Sequence, residues 1–134
     1  MSYFFIVLPG DTEDLQLGVL LGVWKPLSPA AGVCDFPLAV ADSRTFQPEQ
    51  QFRHKVQINL FPGFTVNVLG GSIQHQADQT WYYYSHQTPL EVLVFHQYSR
   101  GKWFNNPHTS FLNRNCPADS EERVSVEMRL ALFF

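Results

Sequence analysis

His108 stands in Asn106-Pro107-His108-Thr109-Ser110-Phe111, at the mouth of an expected strand, and Arg123-Val124-Ser125 opens the last strand of the chain. These residue types suit a metal site with a carboxylate clamp beside it. An Fe(II) oxygenase site places two His and one carboxylate on one face of the metal and leaves positions open for oxygen and co-substrate. A guanidinium grips a carboxylate through two parallel hydrogen bonds, which the point charge of Lys cannot do. His108 is therefore a candidate iron ligand. Arg123, with Ser125, is a candidate clamp for a dicarboxylate co-substrate. The plainer alternative is a strand-end His bonded to backbone and a surface Arg paired with Glu121, Glu122 or Glu127, which contributes little.

Two further groups are candidates for acid/base work. His96 alternates with Val94 and Tyr98 and is expected to face a pocket, where an imidazole titrates near neutral pH. Tyr83 is the second. With Trp81 and Tyr98 it is expected to line an apolar pocket for a polyketide- or terpenoid-like molecule, with a plain aromatic core as the alternative. His54, His75 and His86 are scattered over other segments. Asp35 and Asp42 read as turn residues.

The elements that must position these groups are strands. Leu17 to Trp24 is a continuous apolar run containing Gly18 and Gly22, which would cost a short helix about 1 kcal/mol each. Tyr3 to Leu8 and Phe36 to Ala41 read as short strands, and Pro26 to Gly32 reads as a loop. His54 to Leu60 alternates polar and apolar residues, and Pro62-Gly63 turns the chain into Phe64 to Leu69, which together make a hairpin. Thr80 to Ser85, Leu90 to Tyr98 and His108 to Phe111 are further strands. Glu122 to Phe134 is the longest, setting Val124, Val126, Met128 and Leu130 against Arg123, Ser125, Glu127 and Arg129. Many short strands with little helix point to an all-β sandwich or jelly roll. In that fold the polar face of the last strand looks into the barrel mouth.

The length of 134 residues fits a single domain with a real core, and 45% apolar against 16% charged residues is a globular composition. Aromatic residues reach 15%, with twelve Phe, which favours strands and a lined pocket. A net charge of −3 provides no basic stripe, so nucleic-acid binding is excluded as an expectation. No apolar run has membrane-spanning length, and the apolar start lacks the basic flank of a secretory signal. Cys34 and Cys116 form no metal motif. Reduced thiols in a cytoplasmic protein are the expectation, with one bridge as the only alternative pairing.

Several blocks, taken together, resemble a known family. They are Val23-Trp24-Lys25-Pro26-Leu27; Asp35-Phe36-Pro37-Leu38-Ala39-Val40-Ala41-Asp42-Ser43-Arg44; Trp81-Tyr82-Tyr83-Tyr84; Pro89-Leu90-Glu91-Val92-Leu93-Val94-Phe95; Pro107-His108-Thr109-Ser110-Phe111; and Glu122-Arg123-Val124-Ser125-Val126-Glu127-Met128-Arg129. In order and content they resemble the AsaB-like hydroxylase/desaturase family of fungal secondary metabolism. The resemblance runs from about residue 19 to the C-terminus. It implies a double-stranded β-helix, apparently lacking its N-terminal part, with Fe(II) and 2-oxoglutarate as cofactors and a small secondary metabolite as substrate. It would make His108 the distal metal ligand and Arg123 with Ser125 the co-substrate clamp.

The chain departs from that family in three places. The family carries an earlier His-x-Asp that supplies the other two iron ligands, and no His-x-Asp or His-x-Glu occurs here. Ser99 follows Tyr98 where the family tends to have Asp, and His96 stands where Lys is common. The sequence therefore leaves three readings. The first is an oxygenase whose remaining ligands are not in view. The second is a metal-free descendant, binding neither cofactor, that isomerises, dehydrates or cyclises its substrate. The third is an inactive remnant or partner subunit, with open sheet edges that invite a homodimer.

Overall fold

The computed structural model describes residues 16–61, 64–100 and 106–133. Among them are eight strands and two single turns of 3-10 helix: β1 Leu17–Ser28, β2 Leu38–Ala41, β3 Gln51–Phe61, β4 Phe64–Ile73, β5 Trp81–Tyr83, β6 Leu93–Ser99, β7 His108–Ser110 and β8 Val124–Phe133. The all-β expectation holds. The strand expected at Tyr3 to Leu8 lies outside the described residues. No helix among the described residues is long and apolar enough to cross a membrane.

Two antiparallel three-stranded sheets, in the orders β6-β1-β8 and β5-β2-β7, face each other, and β3 and β4 form a separate hairpin. From β5 to β8 the chain steps alternately between the two sheets, as a jelly roll does. The strands that flank each sheet have a free edge among the described residues. Trp24, Val33, Leu38 and Phe95 form the buried core between the sheets, with Val40 and Leu93 packed against them. Each such large side chain contributes about 1.5–3 kcal/mol by leaving water.

β1 runs on through Pro26 to Ser28, into a stretch whose composition reads as loop. Its pairing with β6 ends at Trp24↔Leu93, whereas β8 continues alongside to Ser28↔Val124. Pro26 thus sits where β1 has one open edge, the position a strand proline tolerates. The hairpin is longer than its alternating core suggests, pairing Gln51 with Ile73 at its base.

On β8 the alternation is decisive. Val124, Met128, Leu130 and Leu132 are exposed, and Arg123, Ser125, Glu127 and Arg129 are partly buried. The polar face therefore turns toward the facing sheet, as expected for a barrel mouth.

The cysteines overturn an expectation. Cys34 and Cys116 are joined by a disulfide, with their Cα atoms 5.4 Å apart across a sequence separation of 82. Pairing of β2 with β7 brings the loop before one beside the loop after the other. That neighbourhood cannot be read from two cysteines in unrelated contexts. Disulfides persist in oxidising compartments, so the pairing does not support the cytoplasmic expectation.

Candidate active site between the two sheets

His108 opens β7, paired with Val40 of β2, and its ring turns toward the facing sheet. Its Nδ1 lies 3.1 Å from the Asn106 carbonyl oxygen, which can only accept a hydrogen bond. Nδ1 therefore carries the hydrogen in that bond, and Nε2 is the nitrogen left for other work. The Phe95 ring of β6 leans on the imidazole, with centroids 4.5 Å apart. Glu127 Oε1 of β8 stands 4.0 Å from Nε2. That carboxylate also accepts from Gln97 Nε2 at 3.0 Å and faces Arg129 Nε at 3.4 Å. Gln97 is a buried polar residue of β6, and its amide is satisfied by this contact.

These contacts cross β1 at Gly22. A Cβ built there would fall 2.5 Å from Phe95 Cζ and 2.7 Å from Gln97 Nε2. The glycine counted in the sequence as a helix breaker is therefore an aperture through which two side chains of β6 pass.

Arg123 lies just before β8, at the other end of the same polar face. It donates to the Phe36 carbonyl oxygen at 2.6 Å, and its guanidinium lies 5.5 Å from the centre of the Trp24 ring. Burial pushes its pKa down, and the Asp35 charge opposes that shift. Phe36 has φ +43°, a left-handed conformation that costs a non-glycine residue about 1–2 kcal/mol. That turn in the backbone is where the carbonyl meets Arg123. The Arg123 contacts differ from the carboxylate partners weighed as its alternative. Ser125 follows on the same face, level with Pro26 of β1. His108 and Arg123 thus sit on Phe95 and Trp24, two members of one core cluster. They face the same space between the sheets.

The structure brings neither His96 nor Tyr83 beside His108. Phe95 and Gln97 are buried, whereas His96 between them is half-buried, and its Nε2 lies 2.7 Å from the Ser99 hydroxyl. Tyr83 pairs with Ala39, one residue out of step with the Val40 row that holds His108. It packs edge-on against Phe111, with centroids 5.1 Å apart, in a shallow apolar hollow with Ala39, Trp81 and Thr109. Strand alternation carries both groups away from His108. The residue in register with His108 is Tyr82, across Val40 and 61% exposed. Reading the sequence alone missed Tyr82, Gln97 and Glu127. Only Glu127 had a signal, its place in the polar series of the last strand.

An iron facial site needs two His and one carboxylate. The Nδ1 contact of His108 to a backbone carbonyl is the outer-shell bond that metal-binding His residues make. Yet among the described residues no three His, Cys, Asp or Glu side chains gather as a metal group. The residues described fit one corner of such a site and not the whole.

The fold is a jelly roll, with His108 and Arg123 facing the cleft between its two sheets. A family model described as "YDMC: Oxidoreductase/YMDC permease-like domain" matches residues 8–133, and the chain belongs to that family. It is 30% identical over 137 residues to aspirochlorine biosynthesis protein N of Aspergillus oryzae, covering 95% of this chain and 53% of that protein. It is 29% identical over 118 residues to the Fe(II)/2-oxoglutarate-dependent dioxygenase nvfI of Aspergillus novofumigatus, covering 83% of this chain and 39% of that protein. A solved structure of the iron and alpha-ketoglutarate-dependent endoperoxidase NvfI superposes with a TM-score of 0.68 at 29% identity, over 83% of this chain and 39% of that one. The jelly-roll expectation therefore stands, and these similar proteins are oxidoreductases of secondary metabolism. The chain spans about half the length of the Aspergillus oryzae relative.

Proposed function

We propose that this chain forms one wall of a non-haem Fe(II)/2-oxoglutarate oxygenase site that hydroxylates, desaturates or otherwise oxidises a small secondary metabolite. The observation that carries the reading is the setting of His108: Nδ1 tied to a backbone carbonyl, Nε2 turned to the cleft between the sheets. In this reading His108 is one iron ligand through Nε2, and the remaining ligands come from outside the described residues. Bound iron would supply oxygen activation. Arg123, stacked on Trp24, and Ser125 would hold the 2-oxoglutarate carboxylate by charge-assisted hydrogen bonds. His96 and Tyr83 have no part in it. The partner is a small apolar molecule and not nucleic acid, in keeping with the net charge of −3. Two copies would pair, if they pair, through the free edges of the flanking strands.

The test is succinate release from 2-oxoglutarate with Fe(II) and ascorbate, together with calorimetric binding of 2-oxoglutarate. The expected result is Fe(II)-dependent turnover, lost in His108→Ala, and binding lost in Arg123→Ala. Absence of both binding and turnover with ample Fe(II) overturns the reading.

The incomplete donor set favours one second reading, a pocket that isomerises, dehydrates or cyclises its substrate without metal. It predicts activity indifferent to chelators. Activity abolished by EDTA and restored by Fe(II) rejects it.

A further inference from the structure

We propose that the Cys34–Cys116 bond and the left-handed turn at Phe36 together position Arg123, and that reduction of the bond by a dithiol releases the guanidinium from its place in the cleft.

Two segments meet here, and only one is anchored. Cys34, Asp35 and Phe36 lie between Val33 and Pro37, whose side chains are fully buried. Phe36, at φ +43°, holds a backbone conformation that disfavours any side chain, so the packing on either side must impose it. That turn aims one carbonyl oxygen, which accepts from Arg123 Nη1 at 2.6 Å. The Phe36 side chain is 43% exposed, so its ring contributes little packing of its own.

The segment from Cys116 to Arg123 has no such anchor. Pro117, Ala118, Asp119, Glu121 and Glu122 are all exposed. The Ser120 amide donates to the Pro117 carbonyl oxygen at 3.1 Å, and the Ser120 hydroxyl lies 3.0 Å from Cys116 Sγ, so both contacts stay within the loop. Outside it, the Ser28 hydroxyl lies 3.5 Å from the Glu122 carbonyl oxygen. The covalent bond to Cys34 ties this exposed loop to the buried segment, and Asn113 Nδ2 supports it by donating to the Cys34 carbonyl oxygen at 3.3 Å. The rigidity that holds Phe36 is thereby passed to the stretch that carries Arg123.

Both cysteines are only half-buried, so a dithiol can reach them. The S–S bond breaks, two electrons and two protons pass to the sulfurs, and the dithiol becomes its cyclic disulfide. The loop is then held by hydrogen bonds alone, and Arg123 is free to leave Phe36 and the Trp24 ring. This positioning depends on the proposed oxygenase reading only in giving Arg123 a carboxylate to hold.

The readout is the Trp24 indole N–H signal in NMR of the whole chain, identified by Trp24→Phe, because the guanidinium lies 5.5 Å from the Trp24 ring centre. Dithiothreitol is expected to shift it in the parent, and not in Arg123→Met or in Cys34→Ser with Cys116→Ser. Phe36→Gly, which adopts the left-handed turn freely, is expected to keep the parent signal, and Phe36→Val, which opposes the turn, to lose it. In a second arm 2-oxoglutarate is titrated by calorimetry. Its affinity is expected to be about 10-fold weaker in the reduced parent and in Phe36→Val, and unchanged in Phe36→Gly. Each measurement is made well below the melting temperature of the form used, so that lost stability does not imitate the effect. If the double cysteine variant does not fold, the parent under dithiothreitol and the two Phe36 variants read the same point. A Trp24 signal unmoved by reduction, or moved equally in Arg123→Met, overturns the proposal, and so does a Phe36→Gly protein that behaves like Phe36→Val. If neither redox state binds 2-oxoglutarate while the Trp24 signal still follows the bond, positioning stands and the clamp reading falls.

Discussion

Phe95 lies across Gly22 of the neighbouring strand so closely that a single added methyl would sit 2.5 Å from its ring. Glycine to alanine in an open strand position normally stabilises, by about 0.4–1 kcal/mol, through the unfolded chain. Here the sign reverses. Gly22→Ala is expected to lower stability by about 1–3 kcal/mol, as overpacking of a filled core does. Urea unfolding checks it, and a variant as stable as the parent would show that Phe95 and Gln97 do not cross β1 at this point.

The Cys34–Cys116 bond closes a long loop that includes β2 to β7. Its removal, in Cys34→Ser with Cys116→Ser or by dithiothreitol, is expected to cost about 2–4 kcal/mol. The loop that follows Cys116 delivers Arg123 to Phe36, so the same change is expected to loosen that end of the cleft. Thermal melts with and without reductant decide it. Equal melting temperatures would mean the two cysteines are not bonded in solution.

Glu91 accepts from the Thr88 amide and hydroxyl and from the Tyr84 hydroxyl. The Thr88 backbone bond, first, and then the Tyr84 bond hold its pKa below the ordinary 4.5. A carboxylate lowered on folding stabilises fully above its unfolded pKa and loses that contribution as pH falls through its folded pKa. The melting-temperature gap between the parent and Glu91→Gln is therefore expected to be constant above about pH 5 and to shrink below about pH 4.5. Asp42 acts in the same direction, with the Arg44 side chain holding it at about 2. A gap that widens on acidification contradicts the bonding described for Glu91.

Arg123 presents several N–H groups, and the Phe36 carbonyl oxygen is the one acceptor described for them. The guanidinium lies over Trp24, so an anion arriving at Arg123 is expected to change the Trp24 fluorescence. Titration with 2-oxoglutarate should give a signal in the parent and none in Trp24→Phe or Arg123→Met. Arg123→Lys is expected to bind more weakly, because Lys can neither stack flat nor form the two-pronged bond. An undiminished response in Arg123→Met would remove the clamp from the proposal.

Much of the fold was legible because strand periodicity is a local property. The hairpin at β3 and β4, the aromatic strand, the strand opened by His108 and the long final strand follow from alternation and turn residues. The polar face of β8 was also legible as an inward one. Pro26 hid the end of β1, because whether a proline is tolerated depends on whether a neighbour strand is still present. Whether His96 and Tyr83 share a space with His108 was not legible, because alternation says that two residues lie on opposite faces and does not say which face is inside. The core decides that, and the core is made by Trp24, Leu38 and Phe95 meeting from different sheets.

By itself the sequence determined an all-β chain, the family blocks, and the candidacy of His108, Arg123 and Ser125, because residue type and short spacing carry that information. Only the tertiary structure set His108 against Phe95 and Glu127, opened a passage at Gly22, joined Cys34 to Cys116 and set His96 against Ser99. Each of those depends on strands distant in sequence coming to lie a few ångströms apart, and no local pattern encodes the register in which they meet.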